Sequence, residues 1–174
     1  EPGMRWFVCT YDLAVALRDK IEAWGPRLAI WDEAHKIKND SAKRTKELVG
    51  YSHKNSRGFW TNEPGLADRV QVNWLLSGTL FANGKPREGF NALKMVRHPL
   101  GEDFFSYGKT YCDGHQVEIS KSGKMAWDFD GASNLDKLSE AMKPIYLRRE
   151  KDLLGLPPRI ESVVPVELDP AARK

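Results

Sequence analysis

Leu28-Ala-Ile-Trp-Asp-Glu-Ala-His-Lys-Ile-Lys-Asn39 is the stretch on which the fold turns. A short apolar run from Leu28 to Trp31 breaks abruptly into two carboxylates, Asp32 and Glu33, followed by Ala34 and His35. A buried parallel strand reads as a continuous apolar run. At the carboxyl end of such a strand the chain leaves the sheet, and there open α/β folds place their ligands. Two neighbouring acids at that tip can divide the work. One can hold a hydrated Mg²⁺ that bridges nucleotide phosphates, and the other can orient or deprotonate an attacking water. An isolated Asp-Glu pair more often ends a strand in a solvated turn, but the whole tetrapeptide Asp-Glu-Ala-His on a strand end is far more specific.

Working outward, Arg5 to Thr10 predicts a buried strand closed by Tyr11 and Asp12, with Asp12 capping the next helix. Leu13, Leu17, Ile21 and Trp24 recur at helical spacing, and Gly25-Pro26 stops that helix. Strand, helix, strand in this order predicts a right-handed parallel crossover. Downstream, Ser41 to Val49 predicts a second helix, capped by Asp40 or Ser41. Tyr51 to Arg69 has no clear period and reads as a long excursion. Val70 to Leu76 returns to a strand ending in Ser77-Gly78-Thr79, and Pro86 opens a helix carrying Phe90, Leu93 and Val96. A shorter helix covers Glu102 to Tyr111. Val117 to Asp130 is mixed, with a turn at Ser122-Gly123, and Ser133 or Asn134 caps a helix with Leu135, Leu138 and Met142 on one face. Ile145 to Leu147 reads as a strand, followed by Arg148-Arg149, and Ile160 to Leu168 as an edge strand or linker. The fold class is α/β, a parallel sheet flanked by helices.

Composition sets broad limits. The 174 residues are 41% hydrophobic and 29% charged, as in a globular domain with a real core. A net charge of +3 is compatible with nucleic acid without pointing to it. No apolar run approaches a membrane span. Cys9 and Cys112 form no paired spacing, which makes a reducing intracellular compartment, cytoplasmic or nuclear, the default. Cys112-Asp-Gly-His115 is half of a zinc-site pattern without its other half.

Further motifs follow the acid pair in order: Trp74-Leu-Leu-Ser-Gly-Thr79, then Asn83, then Tyr146-Leu-Arg-Arg-Glu-Lys-Asp-Leu153 and Leu156-Pro-Pro-Arg159. Together with Asp-Glu-Ala-His-Lys-Ile-Lys-Asn they resemble the SNF2 family of superfamily 2 helicase-like, DNA-stimulated ATPases. The stretches Phe104 to Asp113 and Trp127 to Leu135 are similar to the annealing-helicase branch of that family. The resemblance runs from about Phe7 to Lys174 and is weakest across Tyr51 to Arg69. It implies a partial RecA-like (P-loop NTPase) fold with a helical insertion: residues 1–100 as the C-terminal part of the first lobe, 101–143 as the insertion, 144–158 as the last elements of the lobe, and 159–174 as a linker toward a second lobe. It implies ATP and Mg²⁺ as cofactors and DNA as partner. Asp32 would hold Mg²⁺ through water, Glu33 would activate the hydrolytic water, and His35 would link the nucleotide to Ser77, Gly78 and Thr79, which pass its state to DNA. Lys38 and Asn39 would lie near a phosphate backbone, a solvated surface being the equal alternative, and Arg148 and Arg149 near the inter-lobe junction or packed within the lobe. Leu80 departs from the family's usual proline after Ser/Thr-Gly-Thr, which loosens that turn.

No Gly-x-x-x-x-Gly-Lys-[Ser/Thr] loop precedes Asp32; the lone Gly108-Lys-Thr110 follows it and has Asp103 where the first glycine belongs. Without a phosphate loop and a second lobe's arginine finger, these residues alone are expected not to hydrolyse ATP at a useful rate. A free-standing binding or regulatory module that retains half of a RecA-like lobe is the alternative.

Overall fold

Two short strands, β1 (Leu28–Trp31) and β4 (Val72–Leu75), run parallel, with Leu28 opposite Val72 and Trp31 opposite Leu75. They form the one parallel sheet among the residues that the computed structural model describes, 5–81, 84–120, 123–149 and 162. A buried amide locks their register. Trp31 Nε1 donates to Asn73 Oδ1 at 2.9 Å, while Asn73 Nδ2 donates to the carbonyls of Ala67 and Met95 at 3.0 and 3.1 Å. A one-residue slip would turn Asn73 to the opposite face and strand the carbonyls and the indole N–H it now satisfies.

Among the described residues only one face of this sheet is covered. Trp31 packs into a core with Ala14, Ile37, Leu48, Val49 and Leu66. On the other face Ile30, Val72 and Trp74 stay exposed, so a run that reads as buried on both sides is buried on one. Arg5 to Thr10 forms no strand; Trp6 and Val8 are exposed and no ladder holds the segment, so the expected crossover is absent and β1 takes β4 as its parallel partner. Apolar composition marks a segment that suits a sheet, but a strand also needs a neighbour to receive its backbone hydrogen bonds.

The single helix expected after it divides at Leu17 into α1 (Tyr11–Ala16) and α2 (Arg18–Trp24). Its cap is Thr10, whose hydroxyl accepts from Leu13 N; Asp12 instead pairs with Arg44. Gly25, at φ +68°, closes α2. α3 (Lys43–Val49) buries Thr45, Leu48 and Val49 where the second helix was expected. Arg18 ties these elements together, donating to Glu22, Glu47 and the Pro64 carbonyl, each at 2.8 Å.

The excursion at Tyr51 to Arg69 is an ordered hairpin. β2 (Gly50–Lys54) pairs antiparallel with β3 (Trp60–Pro64), and a 3₁₀ turn at Leu66–Arg69 returns the chain to β4. Two glycines let its base close. Gly50 has φ +80°, and a Cβ there would lie 2.6 Å from Glu63 O and 2.7 Å from Gly65 N. The missing period is that of a hairpin carrying polar and aromatic residues on exposed strands.

Pro86 opens a 3₁₀ turn that runs into α4 (Phe90–Met95), and Asp103 caps α5 (Phe104–Tyr111) by accepting from Phe105 N and Ser106 N. A second antiparallel hairpin follows, β5 (His115–Glu118) with β6 (Met125–Asp128), where the sequence reads as mixed. Its aromatics pack back on α5: Trp127 meets Phe105 edge-on at 4.8 Å, and Phe129 meets Phe104 at 5.2 Å. Gly108 of the Gly-Lys-Thr tripeptide lies in this helix, and a Cβ on it would sit 2.6 Å from the Phe129 ring, so the glycine serves packing. Cys112 is fully buried, and burial pushes its thiol up to about 11. Among the described residues no cluster of three His, Cys, Asp or Glu side chains is suited to a metal.

α6 (Leu135–Met142) is the expected last helix. Ile145 to Leu147 is not a strand; all three residues are exposed. The contacts divide the chain into two units, Glu1–Ser139 and Glu140–Lys174. Asn83, Leu153, Leu156-Pro-Pro-Arg159 and the edge strand at Ile160 to Leu168 lie outside the described residues. Among the described residues no helix is long and apolar enough to cross a membrane.

Candidate functional site

The parallel ladder continues one step past its strands. Leu76 N donates to Trp31 O and Ala34 N donates to Leu76 O, both at 2.9 Å. The segments that leave β1 and β4 therefore run side by side, bringing Asp32-Glu33 and Ser77-Gly78-Thr79 to one rim of the sheet, at the carboxyl ends of both strands. This is where an open parallel sheet presents ligand-binding groups.

The acids stand in solvent on a tightly determined backbone. Asp32 Oδ1 accepts from Glu33 N at 2.9 Å, and Glu33 adopts φ +53°, ψ +48°. A side chain in this left-handed region costs about 1 kcal/mol or more and persists only where its surroundings impose it. Here the imposing contacts are visible. Downstream, the 3₁₀ turn Ala34–Ile37 buries Ala34 and Ile37. Upstream, the Tyr11 hydroxyl donates to the Asp32 carbonyl at 2.7 Å while its ring stacks on Trp31. Burial first, and then the charges of Asp32 and Glu33, push the Tyr11 phenol up to about 12. The hydroxyl thus keeps its proton, and remains a donor, through the physiological range.

His35 Nδ1 lies 3.1 Å from Glu33 Oε2, yet the approach lacks hydrogen-bond geometry and that nitrogen is buried without a hydrogen-bond partner. The pair is a close contact and not a hydrogen bond. Among the described contacts His35 meets Glu33, and none joins it to Ser77 or Thr79. The Ser77 hydroxyl accepts from Thr79 N at 3.2 Å, so the Ser-Gly-Thr turn has an internal tie where Leu80 supplies no proline.

Lys38 and Asn39 both make contacts inside the molecule. Lys38 Nζ donates to Glu88 Oε1 at 2.7 Å, and Asn39 Oδ1 accepts from Ser41 N and Ser41 Oγ. The loop is held from below by Asn91, which donates to Ile37 O and Asp40 Oδ1, both at 2.9 Å. Arg148 and Arg149 lie in the second unit and are exposed.

Sequence reasoning missed three residues that build this rim: Tyr11, Asn73 and Asn91. Asn73 had a signal, an amide inside the apolar run Val72-Asn73-Trp74-Leu75. Tyr11 and Asn91 had none, because each acts across more than twenty residues of chain on a backbone carbonyl.

The donors suit a hydrated ion better than a caged one. Mg²⁺ characteristically keeps several waters and takes one or two carboxylates together with substrate phosphates. Asp32, exposed and with one oxygen engaged by a local amide, fits such an outer contact.

Comparison with known proteins bears on the chain as a whole. The chain is 32% identical to the DNA annealing helicase and endonuclease ZRANB3 of Mus musculus, over 99% of its own length and 15% of the relative's. It is 30% identical to the SWI/SNF-related matrix-associated actin-dependent regulator of chromatin subfamily A-like protein 1 of Drosophila melanogaster, over 94% of its length and 19% of the relative's. A Caenorhabditis elegans homologue of the latter is 27% identical over 90% of the chain and 20% of its own length. The chain thus spans no more than a fifth of these curated relatives. No family model and no solved structure matches it. Across nearly its whole length the chain belongs to the SNF2 family, beside the annealing-helicase branch.

Proposed function

We propose that these residues form part of the first RecA-like lobe of a DNA-dependent ATPase that moves along DNA. The observation that carries this reading is the shared rim, where Asp32-Glu33 and Ser77-Gly78-Thr79 leave adjacent parallel strands joined by hydrogen bonds. An acid pair beside a Ser-Gly-Thr turn, at the ligand-bearing edge of a parallel sheet, is what nucleotide hydrolysis coupled to a second site requires. A pure scaffold would need neither carboxylate.

In this reading ATP is the nucleotide, and Mg²⁺, when bound, supplies neutralising charge to its phosphates. Asp32 would hold that ion through water. Glu33 takes the proton of the attacking water, its carboxylate aimed by the left-handed backbone that Tyr11 and the buried Ala34 impose. His35, against Glu33, restrains that carboxylate, and Ser77 and Thr79 sense the outcome through the adjoining strand end. Lys38 would reach a DNA phosphate only by leaving Glu88, while Asn39 shapes the loop. Arg148 and Arg149 are assigned to the junction with a second RecA-like lobe. The phosphate cradle and the arginine finger must come from polypeptide beyond these 174 residues.

Two measurements test the reading. The 174-residue chain should show no DNA-stimulated phosphate release, whereas a longer polypeptide carrying these residues together with a phosphate loop and a second lobe should release phosphate when DNA is added. Turnover indifferent to duplex, single-stranded and branched DNA would overturn it.

A further inference from the structure

The hairpin between the two rim motifs has no part in that reading. Phe59 and Trp60, beside its turn, are 68% and 70% exposed, an expensive arrangement for two large aromatics unless something covers them in use. No acidic residue occurs between Glu47 and Glu63, while Lys54 and Arg57 lie within that interval. Lys54 stands directly opposite Trp60 in the ladder, with its ammonium 5.4 Å from the indole ring centre. Nearer the base the pattern repeats, Lys46 lying 5.6 Å from the Tyr51 ring.

The turn between the strands is already shaped. Asn55 Oδ1 accepts from Arg57 N and Phe59 N, both at 3.0 Å, Asn55 N donates to Phe59 O, and Gly58 N donates to Asn55 O. Arg57, Phe59 and Trp60 are therefore presented from a turn that need not be ordered on binding, which lowers the cost of association.

We propose that this hairpin grips unpaired DNA, bases stacking on Phe59 and Trp60 while Lys54 and Arg57 meet the phosphates. The proposal rests on the DNA-acting reading above. Charge complementarity selects the occupant: an apolar protein surface closing over these rings would strip water from Lys54 and Arg57 without giving them partners, whereas a polynucleotide supplies a flat apolar face and an anion at every step. Paired bases inside a duplex hide those faces, so the contact favours single strands.

The test is fluorescence anisotropy of labelled 20-nucleotide oligothymidylate, a duplex of equal length and oligouridylate, each titrated with the purified 174-residue chain. Trp60→Ala should weaken oligothymidylate binding about tenfold. Trp60→Phe should restore most of it, and duplex binding should change less than about twofold because it draws on phosphate contacts alone. Thermal melts verify that the variants fold, which the exposure of Trp60 favours. If the wild-type chain binds oligothymidylate and Trp60→Ala binds it equally well, the hairpin assignment is overturned while the DNA reading stands. If the wild-type chain binds neither form of DNA, the hairpin assignment falls, while the DNA reading stands or falls on DNA-stimulated phosphate release by the longer polypeptide. Oligouridylate bound as tightly, with the same loss in Trp60→Ala, would make the ligand RNA and overturn the assignment to DNA. Self-association abolished by Trp60→Ala, with DNA binding unchanged, would give the surface to a second copy of the chain.

Discussion

The two hairpins among the described residues are built alike and packed differently. Each is a pair of short antiparallel strands bearing aromatic side chains. In β5–β6 the aromatics pack on a helix, Trp127 and Phe129 stacking on each other and meeting Phe105 and Phe104 of α5, with Gly108 left bare to admit the ring. In β2–β3 Phe59 and Trp60 turn outward, 68% and 70% exposed. Aromatic content alone does not separate a staple from a contact surface. What separates them is the partner each ring finds: a helix with a glycine notch in one case, and side chains of the hairpin and its base, Lys46, His53 and Lys54, in the other.

Substitutions can sharpen or break this contrast. Phe129→Ala should cost the most, about 3 kcal/mol, because it empties the notch over Gly108 and unpins the hairpin from α5. Denaturant unfolding measures it, and a loss below about 1 kcal/mol would mean that the inner hairpin is no staple. Gly50→Ala should follow, at about 2 kcal/mol, since the outer hairpin is held by its base: the new Cβ would strike Glu63 O in a backbone conformation that alanine resists. Tyr11→Phe, at the rim, should remove about 1 kcal/mol by leaving the Asp32 carbonyl without its donor. That difference is pH-dependent. The folded-state phenol titrates near 12, above its ordinary value of 10.0, so its contribution is whole below pH 10 and is lost as pH rises through 12; wild-type and Tyr11→Phe stabilities should converge across that window. Trp60→Ala should have the least effect, under about 0.5 kcal/mol, because its ring is already in water. A larger loss would turn the outer hairpin into a second staple.

The sequence-level reading held where one local signal carried one local structure. The apolar run ending at Trp31, the glycine after Trp24, Pro86 at its helix start and the helices around Leu48 and Leu138 were all found. It failed at Arg5 to Thr10 and Ile145 to Leu147, where apolar residues suited to a sheet find no strand to pair with among the described residues. It passed over β2–β3 because that hairpin buries neither face and so writes no alternation into the sequence. At the rim, the acids and the Ser-Gly-Thr turn were legible from residue type and order. The residues that position them were not, since Tyr11 and Asn91 act on backbone carbonyls distant in the chain, an interaction that side-chain patterns do not encode.

The central claim is that Glu33, held on a rim shared with Ser77 and Thr79, handles the proton of the hydrolytic water. The direct measurement compares ATP affinity and DNA-stimulated turnover for wild type and Glu33→Gln in the hydrolysing polypeptide that carries these residues. The account predicts turnover reduced about a thousandfold, with ATP affinity retained within about twofold. Turnover left at the wild-type rate would contradict it.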